Sequence, residues 1–259
     1  MLRFSANLSM LFREFSFIDR FSAARRAGFT GVEFLFPYQY EANQLADLLN
    51  LENLELALFN FPPGDWKSGE RGIAALPDRR ADFLESLEQA LKYADTLKCP
   101  TLHVMAGIPG KETSVGEAIE VYVENLRLAC DAAKKKDITI VIEPLNTRDV
   151  PGYLLSSTTE ACKIIKSVSR KNIGLQFDLY HCQIMEGDLE TKILSLSNII
   201  NHIQIAGVPN RHEPDTGEVN YSHLFKIINE TCYDGWIGCE YNPRGLTNDG
   251  LGWLKALKK

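Results

Sequence analysis

No run of this 259-residue sequence approaches the roughly 20 consecutive apolar residues of a membrane span, so an integral helical membrane protein is excluded. The opening "MLRFSANLSMLFREF" lacks the unbroken apolar centre of a secretory leader, because Arg3 and Arg13 interrupt it. Cysteine pairs are missing too. The six cysteines, at 99, 130, 162, 182, 232 and 239, lie scattered with no C-x-x-C, which predicts reduced thiols in a cytoplasmic protein rather than a disulfide framework. There is no G-x-G-x-x-G and no P-loop, so no nucleotide cofactor is expected. No Ser/Gly-rich run, block of like charge or low-complexity tract divides the chain, and a single domain over 1–259 is predicted. The net charge of −6 removes the basic footprint that nucleic acid or an anionic membrane demands of its partners.

What is present is ordinary for a soluble enzyme: 45% hydrophobic and 24% charged residues. Strand-like and helix-like segments alternate from end to end. The strands read as 2–7, 31–36, 54–60, 101–107, 138–143, 173–178, 202–207 and 236–241. Helices follow each of them, including one over 78–97 and one from about 248. Ser114 with Glu117, and Ser157 with Glu160, have capping-box spacing. Apolar strands joined by helices imply parallel strands covered on both faces. Eight such units favour a closed (β/α)8 barrel over an open sheet. The longest irregular stretches, 61–77 and 207–219, both follow strands and so belong at the C-terminal face, where sites of this fold lie.

Three of these strands finish on an acid: "ITIVIE" on Glu143, "IGLQFD" on Asp178 and "WIGCE" on Glu240, while Gln204 lies within "HIQIAG". An ionised carboxylate at the end of an apolar strand is costly unless it is paired, solvated or bound to a cation. A barrel brings all three to one mouth, where they repel and raise one another's pKa. A divalent cation relieves this, and an all-oxygen set suits Mg²⁺ or Mn²⁺ better than Zn²⁺. Helix capping or a salt bridge is the bland alternative for any one of these acids; three together point to a site.

"RFSANLSMLF", "GVEFLFPY", "PPGDWKSGERG", "IEPLN", "FDLYHCQIMEG", "HIQIAGVPNRHEPDTGEVNY" and "GCEYNPRGLT" resemble the hydroxypyruvate isomerase family, from residue 2 to about 254. That family belongs to the xylose-isomerase-like TIM barrels and includes 2-oxo-tetronate isomerases. The resemblance implies an aldose–ketose type isomerase in carbohydrate-acid metabolism, acting on a small keto or hydroxy acid, with hydroxypyruvate ahead of a four-carbon 2-oxo-tetronate. It also implies that Glu143 and Glu240 exchange protons with substrate and that Glu143, Asp178, Gln204 and Glu240 are the metal positions. A ketose 3-epimerase is disfavoured because such enzymes usually carry His where Gln204 stands. An endonuclease IV-like nuclease is disfavoured by a total of five histidines. A non-catalytic binding module is disfavoured by the intact acid pair.

Further candidates come from position. His181, three residues after Asp178, is expected to donate a hydrogen bond to a substrate oxygen. Arg211, just past the seventh strand, is expected to hold the substrate carboxylate through its bidentate fork, with Arg71 next in line. Lys67, Glu70 and Arg71 share the 61–77 loop, a candidate lid. His103 is either a core histidine or an inward-facing one, Cys239 is expected to be a packed thiol, and His202 and His223 are given no role.

Overall fold

The computed structural model describes residues 2–257; positions 1, 258 and 259 of the expected single domain lie outside the described residues. Eight strands form a closed parallel barrel in chain order: β1 (Arg3–Asn7), β2 (Gly31–Phe34), β3 (Glu55–Asn60), β4 (Thr101–His103), β5 (Thr139–Ile142), β6 (Ile173–Asp178), β7 (Ile200–Ile205) and β8 (Trp236–Cys239). Strand β8 closes onto β1 with Ser5 beside Gly238. The helices between them are α1 (Asp19–Arg26), α2 (Ala42–Leu51), α3 (Arg80–Leu97), α4 (Val115–Ala133) and α5 (Thr158–Val168). They continue as α6 (Leu179–Met185), α7 (Leu189–Leu196), α8 (Tyr221–Glu230) and, after β8, α9 (Gly252–Leu257).

Local chemistry sets the helix ends. Ser114 accepts the Glu117 N–H at 3.2 Å and starts α4; Ser157 does the same for Glu160 at 3.2 Å and starts α5. Gly28 follows α1 with φ of 91°, a conformation that a Cβ disfavours. Along α4 the buried face is Tyr122, Val123, Leu126, Ala129 and Cys130. Tyr122 is also tied to the barrel by its hydroxyl, which donates to the Val104 carbonyl at 2.7 Å. Full burial of a side chain such as Leu126 contributes about 1.5–3 kcal/mol.

Several elements differ from the sequence reading. Strand β4 stops at His103 rather than 107 because the chain turns away into Gly107, whose φ is 111°. Strand β7 starts two residues earlier and ends at Ile205. The segment after β6 is two helices, broken at Gly187 and Asp188, both with positive φ. The last helix begins at Gly252, after a 3₁₀ turn over Thr247–Gly250. Glu143 and Glu240 sit one residue beyond β5 and β8, at the C-terminal rim.

The barrel interior is polar where branched aliphatic residues usually fill this fold. Ser5, Asn7, Glu33, Gln176, His202 and Gln204 are all buried. Gly238 makes room for them: a Cβ there would lie 2.4 Å from both carboxylate oxygens of Glu33. Gly238→Ala is therefore expected to destabilise the protein by about 1–3 kcal/mol. A lowered urea midpoint would show it, and an unchanged midpoint would contradict this packing.

Candidate active site

Glu143, Glu240, His181 and Arg211 line one cavity of about 330 Å³ at the C-terminal mouth of the barrel, together with His103, Asn60, Arg13, Arg71 and Trp66. Asp178 lies against its wall, with Oδ2 3.6 Å from His181 Nε2 and 3.7 Å from the Arg211 guanidinium. Its other oxygen, Oδ1, accepts the Tyr180 N–H at 2.7 Å and caps α6. Asp178 thus serves as a helix cap through one oxygen and faces the site with the other.

Burial dominates the electrostatics. It pushes the Glu143 carboxyl well above its ordinary range, and the neighbouring Glu240 and Asp178 push it further, against Arg211 and the Gln176 amide. Burial also lifts Glu240 to about 8, with Arg211 opposing and Asp178 and Glu33 reinforcing. Asp178 is raised by burial, against Arg211 and the backbone N–H groups of Tyr180 and His181. Arg211 is the counter-ion of this cluster: its Nη2 is 3.3 Å from Glu240 Oε1, and its guanidinium lies 5.0 Å from the centre of the Tyr180 ring. The chain reaches this position through a left-handed residue, with Arg211 at φ of 55°.

Among the described residues, Glu143 Oε1 and Asp178 Oδ2 are buried without a hydrogen-bond partner. Glu143, Asp178 and His181 offer atoms within 4.8 Å of one another. Orphaned carboxylate oxygens facing one cavity suit a hard cation. His181 is better suited to another task. Its Nδ1 accepts the Asn146 backbone N–H at 3.1 Å and lies 2.7 Å from the Asn146 side-chain nitrogen. That nitrogen also donates to Asp149 Oδ2 at 3.0 Å, and Asn146 Oδ1 accepts the Asp149 N–H at 2.8 Å, so the amide cannot be reversed. With Nδ1 an acceptor, the neutral ring carries its proton on Nε2, which faces the cavity as a donor rather than a metal ligand. Burial, then Arg211 and His103, hold the ring neutral by driving its pKa well below the usual value.

The other sequence candidates divide. Gln204 lies beside Asp178 across the β6–β7 ladder and does not line the cavity; its Oε1 accepts from Gln176 at 2.7 Å and its Nε2 donates to Glu33 at 2.8 Å. Arg71 reaches the cavity, stacked 3.9 Å over Trp66. Lys67 and Glu70 do not line the cavity: Lys67 is exposed at the loop tip, and Glu70 is captured by Arg79. His103 faces the site, with Nδ1 3.6 Å from Glu143 Oε2, and burial lowers its pKa to about 3. Cys239 is a buried core thiol, His223 pairs with Glu190 on the surface, and His202 pairs with Glu33. Sequence reasoning overlooked Glu33, Gln176, Asn146 and Arg13. For Glu33 the signal was a lone acid inside "GVEF"; for Gln176 it was strand parity with Asp178.

A closed parallel barrel with acids from several strands at its mouth defines a class, and comparison with known proteins identifies the family. Residues 21–257 match the model of the xylose isomerase-like TIM barrels, and the chain belongs to that family. It is 51% identical to a 2-oxo-tetronate isomerase of Cupriavidus necator over 98% of both chains. It is 45% identical to the hydroxypyruvate isomerase of Escherichia coli, again over 98% of both. A crystal structure described as an AP endonuclease, family 2, from Brucella melitensis superposes with a TM-score of 0.97 at 48% identity over 99% of each chain.

Two outcomes are expected. Glu143→Gln or Glu240→Gln, each nearly isosteric, should lower turnover about 10²-fold or more while leaving the circular dichroism spectrum unchanged. Near wild-type turnover in either would remove that residue from proton transfer. Glu240, with its folded pKa near 8 and an ordinary value of 4.5, favours folding fully below about pH 4.5 and loses that contribution as pH rises through 8. Mg²⁺ should accordingly raise the thermal midpoint more at pH 8.5 than at pH 6, where Glu240 already holds its proton. An equal or smaller shift at pH 8.5 would count against cation binding among these acids.

Proposed function

We propose that the protein isomerises short 2-oxo acids that carry a hydroxyl on the adjacent carbon, with hydroxypyruvate and tartronate semialdehyde as the reacting pair. The observation carrying this reading is that Glu143 and Glu240, both with raised pKa, line a single desolvated cavity beside a neutral histidine donor and an arginine. Carboxyl groups shifted toward neutral pH can exchange a proton with carbon in both directions.

The reaction needs one proton moved between carbons and one between oxygens. One glutamate, as carboxylate, takes a proton from C3 of hydroxypyruvate, and the electron pair forms the C2–C3 double bond with charge on O2. The other carboxyl returns a proton to C2, while the hydroxyl proton passes from O3 to O2, leaving the aldehyde at C3. His181 Nε2–H is placed to donate to a substrate oxygen and to favour the charge that develops there. Arg211 balances the acids through Nη2, and its buried Nε–H has no partner among the described residues, which leaves a donor for the substrate. Arg71 and Arg13 add positive charge at the rim for the substrate carboxylate. Glu143, Asp178 and Glu240, with Gln204, are the residues that would hold Mg²⁺ or Mn²⁺, which would supply positive charge to an enediolate.

A second substrate is favoured by the relatives named 2-oxo-tetronate isomerase, at 51% and 47% identity: the four-carbon acid undergoes the same shift with one more CHOH group. Proton NMR in D2O, with each acid and with or without Mg²⁺ or Mn²⁺, tests both readings. Conversion accompanied by deuterium at C3 of the 2-oxo acid and at C2 of its product is expected. Absence of both conversion and exchange with either acid and either metal would overturn the proposal.

A further inference from the structure

Glu33 lies at the floor of the barrel, outside the cavity, and is completely buried. Its Oε2 accepts from the Ser5 hydroxyl at 2.8 Å and lies 2.9 Å from His202 Nε2. Its Oε1 accepts from Asn7 Nδ2 at 3.2 Å and from Gln204 Nε2 at 2.8 Å. Burial raises the Glu33 carboxyl, but the charge and hydrogen bond of His202, with the hydrogen bonds of Gln204 and Ser5, outweigh it and hold the group below its ordinary range. Asn7 Oδ1 accepts the Ser9 N–H at 3.0 Å, so Asn7 presents its NH2 group to Glu33, and Oε1 is held there as an acceptor.

That restriction propagates. Gln204 must turn its NH2 group toward Glu33, so its carbonyl oxygen faces the other way. There Oε1 accepts from Gln176 Nε2 at 2.7 Å and keeps one lone pair. Gln176 has no anchor at its own Oε1 among the described residues, so its orientation follows from Gln204. With Gln204 reversed, two NH2 groups would meet, and the 2.7 Å contact could persist only if Gln176 reversed as well.

We propose that Glu33 is a positioning residue: it sets the direction of the Gln204–Gln176 amide pair, so that Gln204 Oε1 is turned away from Glu33 with a lone pair for a cation. The cation half of this inference rests on the function proposed above. The amide direction does not.

Neutron diffraction from partly deuterated wild-type crystals near pH 7 reads the direction itself. The expected result is two deuterons on the Gln204 atom facing Glu33 and none on Glu33 Oε1; a deuteron on Oε1, or the Gln204 carbonyl facing it, would overturn the proposal. This measurement decides even if a Glu33 variant fails to fold or the protein binds no cation, the latter outcome removing only the cation from the proposed function. Mn²⁺ affinity, followed by the electron paramagnetic resonance of the free ion, tests the consequence. Glu33→Gln should weaken it by roughly 10- to 100-fold, the range seen when residues that orient metal ligands are replaced. Ser5→Ala removes one donor to Glu33 but keeps the charge, and should bind Mn²⁺ close to wild type. Wild-type affinity in Glu33→Gln, or equal losses in both variants, would reduce Glu33 to a packing role.

Discussion

Carboxylates taken out of water must be neutralised, hydrogen-bonded or protonated, and this barrel applies each remedy at a different depth. At the floor, Glu33 is hydrogen-bonded by Ser5, Asn7 and Gln204 and paired with His202, and its carboxyl is held below its ordinary range. At the mouth, Glu143, Asp178 and Glu240 share one arginine, which lies near Asp178 and Glu240, and all three carboxyl groups are raised. The difference between a settled anion below and under-compensated acids above is what gives the mouth its chemistry. A fully compensated mouth would be more stable and less able to move protons.

Positioning is achieved largely by contacts made outside the cavity. Asn146, pinned by Asp149, decides which nitrogen of His181 bears the proton, and so makes the ring a donor. Asp178 uses one oxygen to start α6 and thereby holds the other toward the site. Gly238 leaves the space that the Glu33 carboxylate occupies. In each case a rigid element fixes a polar atom, which suits a site that must hold charge before substrate arrives.

The long loop after β3 contributes at the rim. Its ends are secured by the Phe61 N–H to the His103 carbonyl at 2.9 Å and the Ala75 N–H to the Ala106 carbonyl at 2.8 Å. Between them Trp66 and Arg71 stack over the cavity edge. An aromatic ring under a guanidinium keeps that charge oriented while leaving it accessible.

Eight alternating segments, the capping serines and the acids at the ends of three strands were legible in the sequence, because local periodicity and short-range hydrogen bonds determine them. Parity and strand order were enough to bring Glu143, Asp178 and Glu240 to one mouth. The partners of those acids were not legible. Glu33 meets Gln204 across 171 positions of chain and His202 across 169, and nothing in "GVEF" names those contacts. Likewise, Glu70 looked as available as Arg71 until the fold placed Arg79 beside it. Sequence by itself determined which residues could bear charge and at which rim they would gather. Only tertiary structure decided which charges are compensated, and hence which remain reactive, because compensation in a buried site depends on distances of a few ångströms between segments remote in the chain.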